Sequence, residues 1–374
     1  LFSEQLEVNK RDYIHEKNIQ LHTTLYFKKD SVFIQPGTII HIEEVEVKLS
    51  GRVFYGNTLD LNFSCNTQEL AAVISHTPEH LKAIYDSFQA NGNLTCDGNI
   101  NGLISKESNP LLNMNCHIED GNFILKSRPF TLKNVSLDGK ITNGENRNFI
   151  TTKIEISQFD AKTKNGSIKG DFTIKNLNKY YLTTNLSSSW DLAEINRYFK
   201  DSPFFNLQGR LKTKTRYSGR ISFDSKFKDY FINAQHSSNA TFKNTTFKYK
   251  NFPLTFNFQT VESKFKNNII EVENSAFTIA DSDLKFNGTI TDLIAYIWDR
   301  KEEITVIGDL NSTYIKFEEL FTIKDINEED EEVIDKDKGG TVFPNWIKAN
   351  LNSTIATFTY NDFITTEVSG LLDY

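Results

Sequence analysis

The feature that most constrains this chain is a two-residue alternation of apolar and polar side chains that recurs along nearly all of it. Ile168, Phe172 and Ile174 share one parity, and Lys169, Asp171, Thr173 and Lys175 take the other. Leu284, Phe286 and Ile290 alternate with Asp283, Lys285, Asn287 and Thr289. The same holds for Leu59, Leu61 and Phe63 against Asp60, Asn62 and Ser64, and for Phe256 and Phe258 against Thr255, Asn257 and Gln259. Successive strand side chains point to opposite faces, so the pattern specifies antiparallel strands with one apolar and one wet face. The 30 Phe and 14 Tyr suit a pleated surface, and only 7 Pro interrupt the ladders. The expected class is mainly β.

Helical signals are few and regularly placed. Thr77-Pro78 reads as an N-cap and first-turn proline, followed by Leu81, Ile84, Tyr85 and Phe88 at helical spacing. A second helix is expected over Trp190 to Phe199 and a third over Phe317 to Phe321. They mark an internal repeat. The stretch from Phe159 through Gly170, Leu177 and Leu186 to Asp191-Leu192 is echoed from Phe277 through Gly288, Leu293 and Leu310 to Glu319-Leu320. A partial copy runs from Gly51 through Leu61, Phe63 and Ser64 to Glu69-Leu70. Phe123-Ile124-Leu125-Lys126 before Pro129 likewise matches Phe247-Lys248-Tyr249-Lys250 before Pro253, and Thr357 to Phe363 restarts that half. The period is roughly 115 to 125 residues, each unit a run of strands closed by a short helix. The expected organisation is the end of one β repeat (1–76), two full repeats (77–199 and 200–323), an acidic flexible loop (324–340) and the start of a further repeat (341–374).

The formal net charge is -7 with both signs interspersed, so no basic stripe marks a nucleic-acid partner. Leu293 to Trp298 is the longest transmembrane candidate and is far too short to span a bilayer. The chain opens at Leu1 without a signal peptide and stops at Tyr374 inside a strand-like pattern, so both ends read as cut. Three cysteines lack metal-ligand spacing; Cys96 and Cys116 flank the turn Lys106 to Pro110 and can face each other, although burial as small hydrophobes is the favoured reading. No nucleophile elbow, P-loop or dinucleotide fingerprint occurs, and Ser167, after Asn165-Gly166, leads into an alternating strand. His76 and His80 are four apart but Pro78 separates them, and Asp325, Asn327 and Glu329 lack the Gly and the closing Glu of a calcium loop. Ten Asn-x-Ser/Thr triplets, Asn93, Asn134, Asn185 and Asn311 among them, fall on polar strand faces and carry little weight. No enzyme, cofactor or metal is expected.

What remains is a mismatch between sheet and cover. Some twenty strands each present an apolar face, and two or three short helices cannot shield it. Either the sheet folds on itself as a sandwich or it curls into a groove that receives an apolar ligand. Helices only at repeat junctions favour a long continuous antiparallel sheet curled into a groove, because sandwiches need Greek-key crossovers. The expected lining is Phe123, Leu125, Val135, Leu137, Ile168, Phe172, Ile174, Phe256, Phe258, Ile270, Val272, Leu284, Phe286 and Ile290.

The region from Phe204 to Phe321 resembles the AsmA-like family, in its Bacteroidota forms. The residues that carry the likeness are Phe247-Lys248-Tyr249-Lys250-Asn251-Phe252-Pro253-Leu254, Asn274-Ser275-Ala276-Phe277, Ser282 to Gly288 and Leu310 to Leu320. The resemblance implies a periplasmic repeating β-groove, anchored to the inner membrane by an N-terminal helix absent here. It also implies a role in moving phospholipid acyl chains towards the outer membrane, with outer-membrane or envelope proteins as further partners. It supplies no catalytic residue. The competing class is a structural or docking β module for envelope assembly, with a dry core filled by its own Phe side chains.

Overall fold

The computed structural model describes residues 2–8, 11–76, 86, 88–126, 130–198, 202–222, 226–250, 252–321 and 346–374. The helix expected from Pro78, the His76–His80 pair and the acidic segment 324–340 fall wholly or partly outside the described residues. The fold is mainly β: one large, mostly antiparallel sheet of 20 strands with a few short helices. It divides into two compact units, Leu1–Ser188 with Arg216–Tyr230, and Ser189–Thr215 with Phe231–Tyr374.

The first unit contains β1 (Phe2–Val8), β2 (Arg11–His22), β3 (Leu25–Phe27), β4 (Ser31–Ile42), β5 (Val45–Phe54) and β6 (Thr58–Glu69). Helix α1 (Leu70–Ser75) follows, then β7 (Phe88–Leu103), β8 (Leu111–Leu125), β9 (Phe130–Thr142), β10 (Lys153–Lys162), β11 (Ser167–Lys175) and most of β12 (Tyr181–Asp191). From β4 to β11 each strand pairs antiparallel with the next in the chain. Turn residues explain the hairpins: Asn57 and Asn176 take positive φ, which Asn tolerates better than most residues.

The second unit contains helix α2 (Leu192–Tyr198), most of β13 (Phe204–Arg220) and the end of α3 (Phe227–Ile232). It continues with β14 (Gln235–Tyr249), β15 (Phe252–Lys266), β16 (Ile269–Ile279), β17 (Ser282–Thr291), α4 (Leu293–Ile297), β18 (Ile304–Lys316), α5 (Phe317–Phe321), β19 (Ile347–Tyr360) and β20 (Phe363–Asp373). Neighbours from β14 to β18 are antiparallel, as are β19 and β20. Strands β18 and β19 run parallel, Ile304 opposite Ile347 and Lys316 opposite Thr359, so the chain after α5 re-enters the ladder at the far end of β18.

A helix follows β6, β12 and β18, at Glu69-Leu70, Asp191-Leu192 and Glu319-Leu320, and further helices follow β13 and β17. The leucines serve as plugs: Leu70 and Leu192 are buried, and Leu320 packs against the cluster around Ile315 and Ile355. Helix α2 begins two residues later than the pattern predicts, because Trp190 and Asp191 complete β12. The Asp191 carboxylate then accepts the Glu194 backbone N–H at 3.0 Å, a side-chain cap. Helices α1, α3 and α4 have no counterpart among the helices expected from the sequence.

Candidate functional site

Antiparallel register converts the sequence alternation into continuous rows, because residues directly opposite share a face. In the first unit one row reads Thr38, Leu49, Phe63, Gly98, Met114, Ile141, Ile154 and Ile174, one residue from each strand of β4 to β11. At about 4.8 Å per strand it extends about 34 Å. The next row is Cys65, Cys96, Cys116, Gly139, Ile156 and Phe172, and neither contains a charged side chain. The opposite face carries the polar counterparts. Asn62, Asn99, Asn113 and Thr142 align, Asn115 donates to Asp97 at 3.0 Å, and Lys169 pairs with Asp160 at 2.6 Å.

The second unit repeats the arrangement. Phe265, Ile270, Ile290, Val306 and Ala349 form one row across β15 to β19. Phe258, Phe277 and Leu284 form another, and Phe247 stacks on Phe256 with centroids 4.9 Å apart. Leu293 of α4 packs against this face, and Tyr296 stacks on Trp346 at 5.2 Å.

All fourteen expected lining residues lie on these apolar faces. Phe123, Val135, Leu137 and Phe172 belong to one cluster, with Ile168 opposite buried Ala161, Ile174 opposite Ile154, and Leu125 opposite Phe88 and Phe130. In the second unit Phe258, Ile270, Val272, Phe286 and Ile290 share one cluster, and Phe256 and Leu284 share another. Coverage is uneven: Val135, Leu137, Ile270, Val272, Leu284 and Phe286 are buried, whereas Phe123, Ile168, Phe172, Ile174, Phe256, Phe258 and Ile290 remain half-buried. The parity shifts at bulges were not readable from the sequence. Asn134 and Gln158 adopt positive φ and absorb one residue each, which keeps Leu132 and Phe159 on the apolar side.

The cysteines depart from expectation. Cys96 does face Cys116, but the disulfide joins Cys65 to Cys96, with Cα atoms 5.1 Å apart, and Cys116 is free. Two surface indentations, of about 410 and 650 Å³, sit at Asp283, Asn311 and Ser369 and at Asn134, Asp160 and Lys169, and include none of the expected lining residues. In the first, Asp283 accepts hydrogen bonds from Thr313 N–H and Oγ1 and from Tyr314 N–H at 2.7 to 3.1 Å, with Ser312 Oγ at 3.3 Å. Burial alone would push its carboxyl up, and these donors together hold it below the usual value. The carboxylate is consumed in holding the Ser312–Tyr314 stretch of β18. Among the described residues no helix is long and apolar enough to cross a membrane.

Comparison with known proteins finds no match to the chain among protein families, curated proteins or solved structures.

Proposed function

We propose that this chain is a length of non-enzymatic lipid-transfer scaffold of the AsmA-like kind, working in the periplasm between inner and outer membrane. Its apolar face holds phospholipid acyl chains, and the full protein is anchored in the inner membrane. The observation that carries this reading is the eight-strand row from Thr38 to Ile174, which contains no charge and whose large side chains are only half-buried. In a two-sheet sandwich such central positions are covered by the facing sheet. An acyl chain laid along them gains about 0.8 kcal/mol per methylene removed from water. No cluster of converging polar groups interrupts the rows, so recognition is of hydrocarbon along a surface rather than of one head group.

The test is native mass spectrometry of the purified chain, combined with organic extraction and lipid analysis. Co-purifying phospholipid, displaced by added detergent in several steps, is the expected result. A lipid-free chain that also fails to take up phospholipid from vesicles overturns the proposal and favours the structural module.

A further inference from the structure

We propose that Cys65, Cys96 and Cys116 form a thiol–disulfide exchange site, at which the bridge between β6 and β7 steps sideways to join β7 and β8. The three residues occupy consecutive positions of one cross-strand row: Cys65 is opposite Cys96, and Cys96 is opposite Cys116. The row runs perpendicular to the strands, so the three side chains stand in line on the apolar face. Displacement at sulfur needs that order, with the attacking, central and leaving sulfurs collinear. Cys65 and Cys96 have Cα atoms 5.1 Å apart, and opposite residues of an antiparallel pair lie about 4.5–5.5 Å apart at Cα, which puts Cys116 within disulfide reach of Cys96 as well.

The fourth member of the row gives Cys116 room to act. Gly139 has no side chain, and a Cβ built there would lie 2.5 Å from Cys116 Sγ, so the thiol leans over the glycine. Rotation about the Cys116 Cα–Cβ bond swings the sulfur from Gly139 on β9 towards Cys96 on β7. In the step itself the Cys116 thiolate attacks Cys96 Sγ. The Cys96–Cys116 bond forms as the Cys65–Cys96 bond breaks, and Cys65 departs with the electron pair and takes up the proton that Cys116 released. The number of disulfides is unchanged, and no oxidant or reductant is consumed.

Cys65 and Cys96 are 31 residues apart and Cys96 and Cys116 are 20 apart, so loop closure in the unfolded chain differs by only about twofold between the two bridges, and in the folded sheet their balance is set by the two cross-strand geometries. Burial is the main influence raising the Cys116 thiol pKa; the Gly139 backbone opposes it in part and Asp138, the charged neighbour on β9, adds to it. Exchange is therefore slow at neutral pH and is gated by formation of the thiolate. When it occurs, the clamp leaves the connection that carries α1 and locks the β7–β8 hairpin.

The experiment holds the full chain at about pH 8.5, near the pKa of an ordinary thiol, without oxidant or reductant. Samples are then trapped by acid, alkylated, digested and mapped for disulfide-linked peptides. Both Cys65–Cys96 and Cys96–Cys116 peptides are expected. Cys116→Ser should leave Cys65–Cys96 alone, and Cys65→Ser exposed to glutathione disulfide should form Cys96–Cys116. Recovery of Cys65–Cys96 alone from the parent chain, with Cys116 fully alkylated, overturns the proposal. So does a Cys65–Cys116 peptide as the main new product. Those residues sit two strands apart, beyond disulfide reach in the folded sheet, and such a product reports scrambling through unfolding.

Discussion

Gly170→Ala adds one methyl group to β11 and is expected to cost far more than a surface methyl does. Gly170 has φ +151°, a conformation L side chains rarely adopt, and a Cβ there would overlap the Asn185 carbonyl oxygen and stand 3.0 Å from Leu186 Cα. Both obstacles are backbone of β12, so no rotamer change relieves them. The conformational cost is about 1–3 kcal/mol, and overpacking adds about 1–3 kcal/mol. Gly37→Ala supplies the control. Gly37 also has positive φ, +99°, but nothing lies within 4 Å of its Cβ position, so only the conformational cost applies. Both glycines belong to the first unit, and urea unfolding followed by circular dichroism compares them directly. With m of about 2–3 kcal/mol/M, the Gly170→Ala midpoint should fall roughly 0.5–1 M below that of Gly37→Ala. Equal midpoints would refute the argument that close strand approach fixes this glycine. The same reasoning covers Gly51, whose Cβ would overlap the Asp60 carbonyl oxygen, and Gly308, whose Cβ would overlap that of Asn287.

On the lipid-transfer reading, Phe172→Ala should weaken phospholipid retention only modestly, whereas Phe286→Asp should block it, because an unpaired carboxylate on an apolar face is costly to desolvate. Lipid extraction from folded variants, checked by circular dichroism, decides this, and a Phe286→Asp protein with unaltered lipid content would contradict it. Asp283→Asn is expected to cost about 1–3 kcal/mol at neutral pH through the lost charged acceptor. Because the folded carboxyl pKa is depressed, that advantage exists above the unfolded pKa and fades as pH falls through the folded one; an undiminished difference at low pH would contradict the assignment. His117 is held by Glu119 at 3.0 Å and Asp138 at 2.7 Å, which raise its pKa. Its contribution is therefore full below the unfolded histidine pKa and is lost as pH rises through the folded value. Urea midpoints of the parent and His117→Gln should differ near pH 5.5 and converge near pH 8.5, about a unit or two either side of the ordinary histidine value.

Between bulges the sequence by itself determined which face each strand residue takes, because side-chain parity is a property of the strand's own backbone and needs no knowledge of a partner. Ile168, Phe172 and Ile174 share a face for that reason, and so do Leu284, Phe286 and Ile290. Gly51, Gly170 and Gly288, which stand at matching places in the sequence copies, mark sites where the strand approaches its neighbour's backbone too closely for a side chain. What only the tertiary structure decided was who stands opposite whom. The disulfide partner of Cys96 turned out to be Cys65, 31 residues away, and that pairing depends on the register of β6 against β7 beside a bulge between Cys65 and Gln68. The parallel pairing of β18 with β19 is equally absent from local pattern, because the alternation reads the same in either strand direction. Parity is set residue by residue along one strand, whereas register and direction are set by hydrogen bonds between two, and no single strand's sequence contains both halves of that bond.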